Sequence, residues 1–552
     1  MFKKYLIIFL ILTIPAWWYL LRPGYFSMHD DLQVMRLWQM DKCLMDGQIP
    51  CRYSPDMAWG YGQAMFNYYS AFPYYLGAIL VKFSLSYITA VKALFLISLL
   101  GSGIGMYIFA REFWGNRGAL FSALLYVYAP YHALDIYVRG ALAESFALML
   151  LPFVWHGLYL LSTKRRWKYV LYTSISLGFL FMTHNISLVM FAPFTVIWTA
   201  YLFLKTKRAS LLIDYGFALI LAFGLSAFFL FPAFFERNLI QTELFIDEYY
   251  DFHAHFVSLK QLFFERSWGF GGSVFGPEDG MSFQIGWFHS LTAVLAALLS
   301  LKFWKKDKTK FALIWVLLLG VSLSTFMTHG RSSFIWQSLP FLEFVQFPWR
   351  FLGISIFLLS FVSGSVLNSK ISKAIVAMVL VVPILLYHGY FRAEHHYPNE
   401  TDISKLTGRN LIKQQGSAVL DYLPKTASTN PKALAPNHAL VLTGEAETLN
   451  FTKKSNYFFF DAKVYTAAEI AVPVIYFPGW NVYLENEKQQ IIPTRELGLI
   501  SLNLEPGTYM VRGFFEETRF RALADLFTII TFIFVVISGI WIKNKKKIFD
   551  YT

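Results

Sequence analysis

Long apolar runs separated by short basic clusters set the rhythm of most of this chain, and one stretch near its end breaks it. The opening "MFKKYLIIFLILTIPAWWYLL" pairs a charged start with an apolar run of about 20 residues, enough to cross a hydrocarbon core. Bulky residues follow it where a cleavage site would need small ones, so a retained first span to about Leu21 is predicted. Residues 68–87 are apolar but short and interrupted, and predict a re-entrant or interfacial hairpin. Spans at about 88–110 and 118–131 come next, flanking Arg111 and Arg117. After them the clusters "KRRWK" (164–168), "KTKR" (205–208), "KFWKKDKTK" (302–310) and "NSKISK" (368–373) punctuate pairs of spans, and the last span, about 523–542, ends in "KNKKK". About twelve spans are expected.

Between Arg392 and Arg521 the period changes to two, as in "NYFFFDAKVY" and "GLISLNLEPGTYMVRGFF", with turn signals at "ENEK" and "EPGTY". Alternation of this kind predicts antiparallel strands. The expected architecture is an α-helical polytopic membrane domain over 1–391, with a first outer loop at 22–70. A small extracytoplasmic β-rich domain over 392–521 and a final transmembrane helix with a basic tail over 522–552 complete it.

Composition agrees. Of 552 residues 56% are hydrophobic and only 15% charged, against about 25% charged in soluble domains, and the mean hydropathy is +0.45. The net charge of +13 sits largely in the short clusters between spans, which is the positive-inside pattern and not the footprint of nucleic-acid binding. Assigning each cluster to the cytoplasm makes the protein a multi-pass plasma-membrane protein with both termini cytoplasmic. It puts Cys43 and Cys51 together in the first outer loop. A disulfide is expected there, with two free thiols as the alternative; in the chain-entropy model it stabilises the loop by about 2.5 kcal/mol. No Walker-type phosphate loop or pair of CxxC motifs occurs, so ATP-driven transport and a cysteine zinc site have no support.

Ionisable side chains near span ends are expensive and therefore informative. His29, Asp30 and Asp31 follow the first span directly. Either carboxylate can cap the next segment, "LQVMRLWQM", read as an amphipathic helix on the membrane surface with Leu32, Met35, Leu37 and Trp38 inward. One cap needs one carboxylate, which leaves the other for chemistry. Arg139 and Glu144 in "VRGALAE" suit an ion pair or a site. His329, Arg331, Glu343 and Arg350 share the "THGR" to "FPWR" loop, where Pro348 opens a span and Arg350 lies where a helix N-terminus already attracts anions. An Arg snorkelling to lipid headgroups is the alternative. His184 and Asn185 in "THN" are cavity candidates or satisfied interfacial residues. "ELFIDEYYDFHAH" places His253 and His255 near Asp247, Glu248 and Asp251, either a metal set or a solvated acidic loop.

The motifs "HDD", "YVRGALAE", "THN", "QFPWRFL" and "YFPGWNVYL" together resemble the GT-C superfamily of polyprenyl-phosphate-sugar-dependent glycosyltransferases. Within it they are similar to the bacterial YfhO-like and 6-pyruvoyl-tetrahydropterin synthase-related membrane proteins. The resemblance implies a catalytic base at Asp30 or Asp31 and a lipid-phosphate sugar donor. Its phosphate would be met by Arg350, Arg331, Arg139 and His329, with His29, Glu144, His184, Asn185 and Glu343 lining the cavity. The acceptor would be a glycan, lipid or protein. The adjacent aspartates depart from the spaced D-x-D or E-x-D of several GT-C enzymes, so a divalent metal is left open and no metal ligand is assigned. A flippase or transporter for lipid-linked glycans and a non-catalytic envelope assembly factor remain as other readings.

Overall fold

The computed structural model describes residues 2–246, 248–276, 278–367 and 372–549. Its helices are α1 (Phe2–Trp17), α2 (Gln33–Met45), α3 (Phe72–Lys82), α4 (Tyr87–Val127), α5 (Leu142–Lys164), α6 (Trp167–Phe181) and α7 (Asn185–Thr206). They continue as α8 (Ser210–Phe235), α9 (Trp287–Ser300), α10 (Lys308–Met327), α11 (Leu352–Ser363), α12 (Lys373–Tyr387) and α13 (Arg519–Phe549). Among the described residues nine helical stretches are long and apolar enough to cross a membrane. Helix α4 runs for 41 residues but breaks at Gly115 (φ 66°, ψ −177°), between Arg111 and Arg117, a backbone conformation that glycine adopts without steric cost. Counting its halves apart gives ten, and the shorter apolar helix α9 makes eleven among the described residues, against about twelve expected, with the fifteen-residue α6 as the remaining candidate.

The segment at 68–87 departs from the expected hairpin. Residues 72–82 form one short helix, α3, ended by Phe83 and a left-handed Ser84. It packs against α2 and α4. Helix α2 differs more. Its apolar Val34, Met35, Leu37 and Met40 are buried, but so are Gln33, Arg36, Gln39 and Asp41. The polar face is covered by protein: Tyr74 donates to Gln33, Gln39 to Asp56, and Tyr87 and Lys82 to Asp41. An amphipathic pattern fixes which side of a helix is apolar and says nothing of what covers the other. The capping reading also fails, since Leu32 holds the N-cap position and makes no side-chain cap.

Cys43 and Cys51 form the expected disulfide. It closes the loop that leads from α2 to Arg52, a 1%-exposed side chain that binds Glu517 (2.6 Å) and Asp525 (2.8 Å) at the start of α13 and the Phe228 carbonyl of α8 (2.9 Å).

Strands β1 (Tyr25–Phe26) and β2 (His396–Tyr397) pair antiparallel and tie the 22–70 loop to the stretch after α12. The β-rich part is narrower than 392–521: residues 402–416 are short helices and the sandwich occupies 440–515. Strands β3 (Leu440–Thr443), β6 (Ala468–Ile475), β10 (Leu499–Leu504) and β9 (Ile492–Pro493) make one sheet in the order β3-β6-β10-β9. Strands β4 (Ala446–Lys453), β5 (Tyr457–Val464), β11 (Gly507–Phe515), β7 (Trp480–Leu484) and β8 (Glu487–Gln489) make the other, in the order β4-β5-β11-β7-β8. Alternate residues Phe458, Phe460, Ala462 and Val464 of β5 meet Ile470, Val472 and Val474 of β6 in a common core, the period of two read from sequence. The "FPGW" turn carries Gly479 at φ 123°, where a Cβ would strike the Glu516 carbonyl at 2.8 Å, and it packs Trp480 edge-on to Tyr53 of the 22–70 loop. The sandwich thus sits on one end of the helical bundle.

Candidate functional site

At that end the chain leaves the first span and turns at His29–Asp31. The turn is held by backbone: the N–H groups of His29 and Asp30 donate to the carbonyls of Val138 and Arg139, both at 2.9 Å, and the Gln33 amide donates to Gly140 O at 2.8 Å. The two carboxylates then diverge. Asp30 accepts from Arg36 Nη1 at 2.8 and 2.7 Å and from Gln33 Nε2 at 3.0 Å. Asp31 points the other way and accepts from Lys405 Nζ at 2.5 Å. Burial raises the Asp31 carboxyl above its ordinary range, with Lys405 opposing. Behind Asp30, Arg36 lies 4.3 Å over the Tyr69 ring. Asp421 stands close by; burial pushes it up to about 6, with Arg36 lowering it and Asp30 adding to the rise.

A second cluster forms where "YHALDIYVRG" winds into a π-helix over Leu134–Arg139, stopped by Gly140 at φ 66°. The wide turn brings Asp135 onto Arg139 in an ion pair. The same Arg139 Nη1 donates to Glu144 at 2.9 Å, and Glu144 accepts from Tyr131 OH at 2.5 Å. Arg350 arrives from the "FPWR" turn with its Nε 3.7 Å from Glu144 and its Nη1 donating to the Val345 carbonyl at 2.7 Å and the Gln346 side chain at 3.1 Å. That Nε has no hydrogen-bond partner, an unspent donor in a buried site. Trp349 stacks under Arg139, 4.5 Å from ring centre to guanidinium. Asp135, Arg139, Glu144 and Arg350 are all less than 10% exposed. His184 sits within reach of Glu144, and burial holds it down to about 3, so it is neutral, with Nδ1 bonded to Ser187 at 2.7 Å.

The two clusters are linked through the Val138–Gly140 backbone, whose carbonyls hold the His29–Asp30 turn and Gln33. Tyr250, from the 236–286 connection, is acted on by Asp421 and Asp30 from one and by Arg350 from the other, while burial raises its phenol. Arg139 contacts both: its carbonyl accepts from the Asp30 backbone N–H and its guanidinium donates to Glu144. Of the sequence-predicted residues, Arg139, Glu144, His184 and Arg350 gather in the second cluster, and Asp30 is tied to it through its backbone N–H on the Arg139 carbonyl.

Other predicted residues lie at its margins or elsewhere. His29 Nε2 bonds the Phe270 carbonyl at 2.8 Å, and Asn185 donates to Tyr68 O at 3.3 Å. Glu343 is half-buried in the turn that presents Val345 and Gln346 to Arg350. His329 and Arg331 are set apart, at one end of a mostly apolar cavity of about 520 Å3 between α9 and α10. In the acidic loop, His253 bonds Asp251 at 2.7 Å and His255 bonds Ser273 and the Tyr249 carbonyl, so the two rings serve different partners. Asp247 lies outside the described residues, and among the described ones no group of three or more His, Cys, Asp or Glu side chains suits a metal.

Sequence reasoning missed Asp135, Arg36, Tyr250, Lys405 and Asp421. Asp135 had a signal, its four-residue spacing to Arg139 within an apolar stretch. Asp421, flanked by "AVL" and "YLP", offered a lone carboxylate among apolar neighbours.

A family model described as the 6-pyruvoyl-tetrahydropterin synthase related domain, a membrane protein, matches residues 66–394. The chain belongs to this family. The family region contains Arg139, Glu144, His184 and Arg350, and begins after Asp30 and Asp31. An uncharacterized protein of Lactococcus lactis subsp. cremoris (strain MG1363) is 24% identical over 332 residues, 57% of this chain and 52% of that protein, so the chain spans about half the length of this curated relative. Among solved structures, the apo Archaeoglobus fulgidus oligosaccharyltransferase aligns over 72% of this chain and 56% of its own, with a TM-score of 0.41 and 12% identity. ArnT from Cupriavidus metallidurans, also apo, aligns over 69% and 62% with a TM-score of 0.38 and 14% identity.

Proposed function

We propose that this family member is an inverting membrane glycosyltransferase. It moves a sugar from a polyprenyl-phosphate donor to an envelope glycan, lipid or protein acceptor at the outer face of the plasma membrane. The observation that carries the reading is the double role of Arg139, whose carbonyl fixes Asp30 while its guanidinium joins Glu144 beside Arg350. We take the Asp30 carboxylate on one side and the two guanidinium groups on the other to border one reaction region.

In this reading Asp30 is the base. It takes the proton of the acceptor hydroxyl as the oxygen attacks the anomeric carbon, a contribution of about 10² to 10⁴-fold in rate. The bond from that carbon to the donor phosphate breaks, and both electrons leave with the phosphate. Arg350 and Arg139 stabilise the growing charge, and a partly desolvated setting makes such stabilisation a large term. Glu144, Asp135 and Tyr131 position the two guanidinium groups. Asp31, through Lys405, fixes the turn that carries Asp30. Displacement from the opposite face inverts the anomeric centre. The apolar groove between α9 and α10, headed by His329 and Arg331, suits the lipid portion of the donor.

The test is transfer of radiolabelled sugar from a polyprenyl-phosphate donor to an envelope extract by the purified protein in proteoliposomes. Label in a new glycan product is expected. Counterflow of labelled lipid-linked sugar with no product would replace the reading with transport.

A further inference from the structure

Away from the reaction region, the Leu20–Gly24 stretch that follows α1, the start of α4 and the 400–403 stretch line a cavity of about 560 Å3. We propose that it binds the phosphate headgroup of an anionic membrane lipid. Its walls are mostly apolar, including Leu20, Ile88 and Leu96, and its polar edge carries Arg22 and Lys92.

Lys92 decides the chemistry. It is 8% exposed in the second turn of α4, and two of its three N–H groups donate to the carbonyls of Arg22 (2.6 Å) and Gly24 (2.8 Å). No described carboxylate forms an ion pair with it, although Asp402 and Glu400 line the same cavity. Asp402 is spent on the first two amides of α4, accepting from Tyr87 N at 2.7 Å and Ile88 N at 2.9 Å, and Glu400 accepts from Ser404 at 2.8 Å. An ammonium this little exposed and held by carbonyls with no ion pair of its own is costly, and an anion meeting its third N–H relieves that cost. Arg22 extends the positive edge, its guanidinium 5.0 Å over the Tyr19 ring. Arg22 and Lys92 together also act on His396, and Arg22 and Arg392 act on Tyr19, so several cations share this corner.

The apolar lining and the position at the ends of two apolar helices favour a lipid over a soluble anion. A headgroup at Lys92 lies against the Arg22–Gly24 carbonyls, seven residues or fewer before the Asp30 turn, and so steadies the loop that delivers the carboxylate. The site does not depend on the assignment of the reaction.

Native mass spectrometry of the detergent-solubilised full chain, titrated with phosphatidylglycerol or phosphatidylcholine, provides the test. One phosphatidylglycerol is expected to be retained at least fivefold over phosphatidylcholine, and Arg22→Gln, an exposed substitution, should weaken retention by about fivefold, the usual worth of one interfacial cation. Lys92→Met should abolish the preference; should that variant fail to fold, Arg22→Gln carries the test. Equal retention of the two lipids, an unchanged preference in Arg22→Gln, or displacement of the lipid by millimolar inorganic phosphate would each overturn the proposal.

Discussion

Replacing Asp30 with asparagine removes one negative charge and almost no volume, and the structure separates its effects. Asp30 accepts two contacts from Arg36 and one from Gln33, and an asparagine oxygen can keep one of the Arg36 bonds. Arg36 is 5% exposed and loses its charged partner. Breaking a fully buried pair costs about 3–5 kcal/mol. The Asp30 side chain is 35% exposed, so solvent screening cuts this to about 1 kcal/mol. With Asp30 as the proposed base, its loss costs more: about 10² to 10⁴-fold in rate, or about 2.7–5.4 kcal/mol of barrier. The variant should thus remain folded and lose at least a hundredfold in kcat at saturating donor, read by label transfer in proteoliposomes beside a melting curve. Asp31→Asn frees only Lys405 and should stay within about fivefold of wild type. Asp30→Asn turning over at a near-wild-type rate would refute the assignment. So would a hundredfold loss confined to Asp31→Asn.

Arg350→Lys keeps the charge but gives up the planar fork that spans Glu144, Val345 and Gln346, so KM for the donor should rise about tenfold or more in steady-state kinetics. Asp421, held up to about 6, is neutral below that pH and anionic above it. Its charge adds negative potential beside Asp30 and draws the acceptor proton there, so the transfer rate should climb as pH rises through 6, and Asp421→Asn should flatten that climb. The paired Cys43→Ser, Cys51→Ser variant should lower stability by about 2.5 kcal/mol, seen as a lower melting temperature than wild type without reductant and the same one with it.

Apolar spans and basic clusters were legible because the bilayer imposes length and the backbone must satisfy itself locally. The α4 break falls at Gly115, between Arg111 and Arg117, where the charges called for a turn. What stayed hidden depends on partners distant in sequence. The polar side of α2 is satisfied by Tyr74, Asp56, Lys82 and Tyr87, none of which its own periodicity reveals. Of the two adjacent aspartates, Asp31 is claimed by Lys405, 374 positions away, and no local pattern foretells which carboxylate goes where. The separation of His329 and Arg331 from Arg350 has the same origin: all share one loop, but its short helical turns send the first two to the cavity beside α9 and α10 and bury Arg350 against Glu144.

The Arg52 clamp bears on biogenesis. Its guanidinium is made 465 residues ahead of Glu517, so a nascent chain carries an unmatched cation until residues 517–525 have been synthesised. The clamp between the 22–70 loop and the start of α13 therefore closes only after the sandwich at 440–515, which lies between them in sequence, has been made, and a chain truncated before Glu517 lacks both carboxylates.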